Sequence, residues 1–177
     1  MKRNLFIVVF AAASVLSVSS AFADNTIKFQ GEVADQTCTV SVNGDDSAPL
    51  ILLPTQPASA LTTAGKTAGD TEFAISVSGC TASTSATAIK TVFVGNNLNS
   101  GGRMGNTGTA TNVTLRLVDP ATPTIPLDLT GQVGSPGLNL AANATSASHN
   151  FAVQYYSEGV ATPGSVLGSV QYAVSYE

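Results

Sequence analysis

The chain has 177 residues, with 11 acidic and 7 basic side chains and a formal net charge of −4, a balance that argues against nucleic acid and anionic membrane surfaces as partners. Its length suits one domain with a real core.

Met1–Ala23 has a charged start (Lys2, Arg3), an apolar run from Leu5 to Leu16 and a small-residue exit at Ala21-Phe22-Ala23. This is the layout of a secretory signal peptide cleaved before Asp24. The leader is too short to span a membrane, and no later segment reaches the apolar length required. Its removal leaves 5 basic against 11 acidic residues, a net of −6. The mature protein is therefore expected to be exported and soluble.

Ile27, Phe29, Gly31 and Val33 alternate with Lys28, Gln30 and Glu32, the period-two pattern of an amphipathic strand. Thr37–Val42 continues as strand, and Asn43-Gly44-Asp45-Asp46 reads as a turn. Leu50–Leu53 is a short apolar strand stopped by Pro54, followed by a loop to Gly69 with one helical turn near Ala58–Leu61. Phe73, Ile75 and Val77 alternate up to Gly79-Cys80. Lys90–Val94 is a strand before the polar loop Asn96–Asn112. Val113, Leu115 and Leu117 alternate, and Asp119-Pro120 turns the chain. Ile125–Leu129 and Leu138–Leu140 are expected as short edge strands, because Pro123, Pro126 and Pro136 exclude long central ones.

Phe151, Val153 and Tyr155 alternate again, and Thr162-Pro163-Gly164 turns into a last strand, Val166–Tyr176. In that strand Val166, Gly168, Val170, Tyr172, Val174 and Tyr176 form one face, and Gly168 leaves a gap in it. A long apolar strand of this kind offers both a sticky face and a backbone edge that native proteins cover or pair. Short strands, frequent turn signals and no amphipathic helix of normal length predict an all-β sandwich.

The two cysteines, Cys38 and Cys80, lie in a chain read as exported, so a structural disulfide is the leading reading. Metal binding and a reactive thiol lack support, with no CxxC and no histidine nearby in sequence. His149, the only histidine, reads as a solvated or hydrogen-bonded strand residue. Asp45-Asp46 lacks the rest of a calcium loop and reads as turn chemistry. Asn112-Val113-Thr114 and Asn143-Ala144-Thr145 match a glycosylation triplet that is common by chance. For Tyr155-Tyr156, one ring in the core and one on the surface is the simpler reading, a sugar-stacking pair the alternative. No nucleophile elbow, phosphate loop or paired-carboxylate site occurs. No cofactor and no small-molecule substrate are expected.

Several stretches together resemble the pilins of chaperone–usher fimbriae, most of all the major shaft subunits of the type 1 group. They are Thr26–Val33, Asp35-Gln36-Thr37-Cys38, Gly79-Cys80, Tyr155-Tyr156, Ala161-Thr162-Pro163-Gly164 and the strand ending at Tyr176. Gly164 stands fourteenth from the end and tyrosine next to last.

The resemblance implies an incomplete immunoglobulin-like sandwich that lacks its C-terminal strand and is completed by donor-strand exchange. On this reading residues 1–23 are the signal peptide, 24–35 the donor arm and 36–177 the pilin domain. Ile27, Phe29, Gly31 and Val33 would be the donor face. Val166, Gly168, Val170, Tyr172, Val174 and Tyr176 would line the acceptor groove, and the Glu177 carboxylate would be held by a chaperone. Cys38–Cys80 would be the disulfide that the chaperone requires. The implied partners are neighbouring copies of the chain, a periplasmic chaperone and an outer-membrane usher, and the implied place is a fimbrium on the bacterial surface. Only Asp24, Asn25 and Thr26 would precede Ile27, a shorter arm than many shaft pilins carry. The alternatives are a minor adaptor subunit of the same fimbrium, a secreted carbohydrate-binding module, and a small exported enzyme.

Overall fold

Phe73, Ile75 and Val77 turn their side chains to one side of a strand and Glu72, Ala74 and Ser76 to the other, and this alternation fixes which face is buried. In a computed structural model, which describes residues 38–47 and 49–176, the pattern repeats over eight strands in two sheets. The strands are β1 (Thr39–Val42), β2 (Thr67–Ser78), β3 (Thr87–Gly95), β4 (Met104–Gly105), β5 (Val113–Val118), β6 (Ser135–Leu140), β7 (Ser146–Ser157) and β8 (Val170–Tyr176). The only helical element among the described residues is a 3-10 turn, Ala58–Ala60, where a helical turn is expected from the sequence. All pairings are antiparallel. One sheet has the order β1-β2-β7-β5-β4 and the other β6-β3-β8.

The core fills the space between the sheets. Phe93 of β3 meets Phe151 of β7 edge-to-face at 5.1 Å between ring centres, and Phe73 of β2 lies 6.2 Å from Phe151. Ile75, Ile89, Leu115, Leu117, Leu138 and Leu140 surround them, all buried. Such rings contribute beyond their buried area when tilted or edge-on. Cys38 and Cys80 are bonded, with their Cα atoms 4.5 Å apart, so the start of β1 is tied to the end of β2. The same end of the sandwich carries the last residues of β6 and β8 and the first of β7.

Several boundaries differ from those read in the sequence. Leu50–Leu53 is not a regular strand: it takes part in no ladder among the described residues, although its side chains alternate between exposed (Leu50, Leu52) and half-buried (Ile51, Leu53). Ile125–Leu129 makes only single bridges on either side, Val118 with Pro126 and Val94 with Thr130, because Pro126 has no N–H to continue a ladder. β2 begins at Thr67, earlier than the alternation of Phe73 suggests, and β4 sits inside the segment read as loop. The last strand is regular only from Val170. Residues 165–169 instead bond to the 96–110 loop, with Thr107 N–H donating to Leu167 O and Asn96 N–H to Ser169 O. Gly164 is held against that loop, and a Cβ there would overlap the Ala110 amide nitrogen.

Other expectations hold. Asp45 Oδ1 accepts from the Ser47 N–H at 2.9 Å, as turn chemistry requires. His149 Nε2 pairs with Asp119 Oδ2 at 2.9 Å. Tyr155 packs against the core, while Tyr156 lies on the other face of the sheet with the Arg103 guanidinium 4.2 Å above its ring.

Candidate functional site

β8 forms one margin of the three-stranded sheet. β3 pairs with it over Ile89–Gly95, and among the described residues no strand lies on its other side. The opposite wall is Pro49–Leu53, which the turn at Asn43–Ser47 carries across from β1. Between the two walls runs a groove of about 620 Å³. Its floor is the interior of the sandwich itself: Phe73, Ile75, Phe93, Leu115, Leu117 and Val153. Ile51 and Leu53 point in from one wall, Val170 and Tyr172 from the other. None of the lining residues is charged.

Gly168 lies in the groove at the upstream end of β8. A Cβ there would stand 3.0 Å from Leu115 Cδ1 and 3.7 Å from Met104 Cβ, so the missing side chain keeps this part of the groove open. Val170, Tyr172, Val174 and Tyr176 follow at alternate positions, each half-buried and packed on the core. Tyr176 also accepts the Cys38 N–H on its hydroxyl at 3.2 Å, which ties the end of β8 to the disulfide. Val166 sits apart from the groove, in a second cavity at the end of the sandwich. Ile27, Phe29, Gly31, Val33 and Glu177 lie outside the described residues.

The far wall was only half visible in the sequence. Leu50-Ile51-Leu52-Leu53 is apolar throughout, so no alternation shows which side chains turn inward. The floor residues are visible in the sequence only as core. What distinguishes them is that no strand among the described residues covers them.

Electrostatics is confined to other surfaces. Arg103 Nε donates to Glu158 Oε1 at 2.8 Å and Arg103 Nη2 to Oε2 at 3.1 Å, and Asn99 and Thr114 donate to the same carboxylate. Arg103 holds Glu158 below the ordinary carboxylate range, against a smaller opposing effect of burial. Among the described residues no group of three or more His, Cys, Asp or Glu side chains could hold a metal ion. The groove thus has the chemistry to take an extended apolar segment: an uncharged trough, open along its length, between two extended backbones.

Among the described residues, a two-sheet β-sandwich with an uncharged apolar groove beside its last strand is the form expected of a strand-accepting subunit. The comparisons agree. The chain is 36% identical over 174 residues to the major fimbrial subunit SMF-1 of Stenotrophomonas maltophilia (strain K279a), spanning 93% of this chain and 98% of the relative. It is 32% identical over 184 residues to the F17 fimbrial protein of Escherichia coli, with both chains covered in full. A solved chaperone–usher pilus, studied for the uncoiling of its rod, superposes with a TM-score of 0.59 at 15% identity, covering 88% of this chain and 96% of that one. No protein-family model matches the chain.

The chain belongs to the fimbrial subunit family of chaperone–usher pili. It is a shaft pilin of the type 1-like group, with the incomplete immunoglobulin-like fold of that family, and its work is structural rather than catalytic. Copies of it polymerise in a surface fimbrium.

Proposed function

We propose that the groove beside β8 receives residues 24–35 of a neighbouring copy, so that the subunit polymerises by donor-strand exchange. The observation that carries this reading is the groove itself: a core opened between β8 and Pro49–Leu53, with Gly168 widening it. Ile27, Phe29, Gly31 and Val33 form the inward face of the donor, and Val170, Tyr172, Val174 and Tyr176 form the wall that it meets. Residues 36–177 make up the accepting domain, after a signal peptide at 1–23. Burying an Ile, Phe or Val side chain contributes about 1.5–3 kcal/mol, and each main-chain bond about 1 kcal/mol. Ordering the arm costs about 1–2 kcal/mol per residue. The closed core beneath the arm supplies the balance, since groove surface left in water is unfavourable for both partners.

The direction of the arm follows from the ends of the sandwich. Each copy sends its arm out from Cys38, at the end where β8 finishes. An arm lying parallel to β8 would bring the donating copy to that same end, where the accepting copy's own arm must leave. An antiparallel arm, with Val33 near Gly168 and Ile27 toward Tyr176, brings the donor to the opposite end. Each copy can then give at one end and receive at the other, and a contact of that kind propagates as a filament.

Before assembly, a periplasmic chaperone covers the groove and engages Glu177, and an outer-membrane usher exchanges it for the arm. The Cys38–Cys80 bond supports this step by fixing the end of the sandwich that β8 reaches.

The test moves Thr26–Ala34 to follow Glu177 through a short flexible linker, which lets the arm turn back antiparallel to β8. The rearranged chain is expected to be a monomer with a denaturant midpoint well above that of Asp24–Glu177. Equal or lower stability, with Asp24–Glu177 folding alone as a monomer, would refute the reading.

A further inference from the structure

A second cavity, of about 520 Å³, opens at the end of the sandwich where β2 and β8 begin and β7 ends. It lies beyond the groove, and the chain that lines it (Pro163–Val166) continues two residues later into the groove at Gly168. Its apolar lining comes from Leu61, Ala110, Val113, Tyr155, Ala161 and Val166, the smaller of the two buried clusters. Leu61, Ala110, Val113 and Ala161 are buried at its base while Thr55, Pro57, Thr162 and Pro163 stand exposed on its rim, and the backbone is held firmly, for example by Ala161 N–H donating to Leu61 O at 3.0 Å and Ala110 N–H to Ser165 O at 3.0 Å.

We infer that this end cavity is a second docking surface for another copy of the same chain, and that it seats the disulfide-bearing end of the donating subunit. The inference rests on the donor-strand reading above. Only Ala34, Asp35, Gln36 and Thr37 separate Val33 from Cys38. That connection spans at most about 18 Å even when fully extended. A donor with Val33 seated near Gly168 therefore keeps its own Cys38 within that distance of Gly168, two residues from the chain that lines the end cavity, so Cys38 can reach the cavity mouth.

The part of the donor that arrives with Cys38 is known. Cys80 N–H donates to Thr145 O and Asn143 N–H to Ser83 O, so the loops 79–86 and 141–146 are bound together beside the disulfide. Both are mostly exposed and built from small residues (Ala, Ser, Thr, Gly, Asn) apart from Cys80 itself. Neither loop contains a charged residue, and neither does the lining of the end cavity. In a mature chain carrying −6, two copies repel each other wherever their acidic surfaces meet, and these two ends are where that repulsion is least. Small neutral loops can also enter a cavity that long charged side chains could not enter without desolvation. The arm would then hold neighbours together, and the end contact would fix the angle between them.

The test is site-specific photo-cross-linking in assembled fimbriae. A benzoylphenylalanine probe replaces Thr55, an exposed residue on the cavity rim, and a second probe replaces Leu50, an exposed residue on the groove rim. On irradiation the Thr55 probe is expected to give a band at twice the subunit mass, with peptide mapping placing the link in 79–86 or 141–146 of the second copy. The Leu50 probe is expected to link to 27–33. If the Leu50 probe captures the arm while the Thr55 probe captures nothing, or another region, the end-docking inference is overturned and the donor-strand reading stands. If the Leu50 probe captures no arm, both fall. Should fimbriae bearing the Thr55 probe fail to assemble, the same probe at Pro163, across the rim, gives the same decision.

Discussion

Replacing Gly168 with leucine tests the groove where its geometry is most specific. The new Cβ would begin 3.0 Å from Leu115 Cδ1 and 3.7 Å from Met104 Cβ, and the remaining carbons would have to enter the groove. Overpacking of this kind costs about 1–3 kcal/mol. Displacing one donor side chain forfeits about 1.5–3 kcal/mol more. The chain with its arm appended after Glu177 is therefore expected to lose about 2.5–6 kcal/mol, read as a lower urea midpoint at unchanged slope. Leu167→Ala, on a side chain 58% exposed beside it, should stay within about 0.5 kcal/mol of the parent. A double-mutant cycle localises the effect. If Val33 sits over Gly168, shortening Val33 to alanine will cost less in the leucine background than in the parent, with a coupling of at least about 0.5 kcal/mol. An unchanged midpoint for Gly168→Leu, or strict additivity with Val33→Ala, would refute the seating of the arm in this groove.

Two further outcomes concern the domain itself. Glu158 has its folded pKa lowered, chiefly by Arg103, so its contribution to stability is fully present above its ordinary value of 4.5 and disappears as pH falls through the lower folded value; Glu158→Gln should flatten the acid limb of a stability–pH curve, and an acid limb identical to the parent's would sink this account. Thr91 Oγ1 is buried and has no hydrogen-bond partner among the described residues, so Thr91→Val should raise the unfolding free energy by about 1 kcal/mol, and a fall of that size would show that the hydroxyl is satisfied after all.

The parts of this fold that were legible in the sequence are those where one face is wet and the other dry. Phe73, Ile75 and Val77, then Val113, Leu115 and Leu117, then Phe151 and Val153 alternate because each strand has a buried side, and they appear where expected in β2, β5 and β7. The alternation of β8 was legible for the same reason. Its upstream limit was not, because Val166-Leu167-Gly168-Ser169 alternates just as well while its backbone bonds to a loop instead of a strand. The wall at Leu50–Leu53 was half-legible: its apolar content and its stop at Pro54 mark an extended segment, but periodicity cannot show that no described strand pairs with it. The end cavity left no signal, since Leu61, Ala110 and Ala161 come from three separate loops and meet only in the folded chain.

That difference bears on how such a subunit can be incomplete. An ordinary sandwich would cover Phe73, Phe93 and Leu115 with a strand of its own, and its sequence would announce that strand by the same alternation as the others. On the proposed donor-strand reading the covering segment is Ile27–Val33, which lies at the far end of the sequence from β8 and joins the domain through Cys38, at the end that β8 reaches only as it finishes. For the arm to fill its own groove antiparallel to β8, Val33 would have to reach Gly168, along the whole length of β8 from Cys38. Val170–Tyr176 alone spans about 20 Å at the rise of an extended strand. Ala34–Thr37 bridges at most about 18 Å. Antiparallel closure onto its own groove would outrun that connection, a reach that the proposed donation to a second copy does not require.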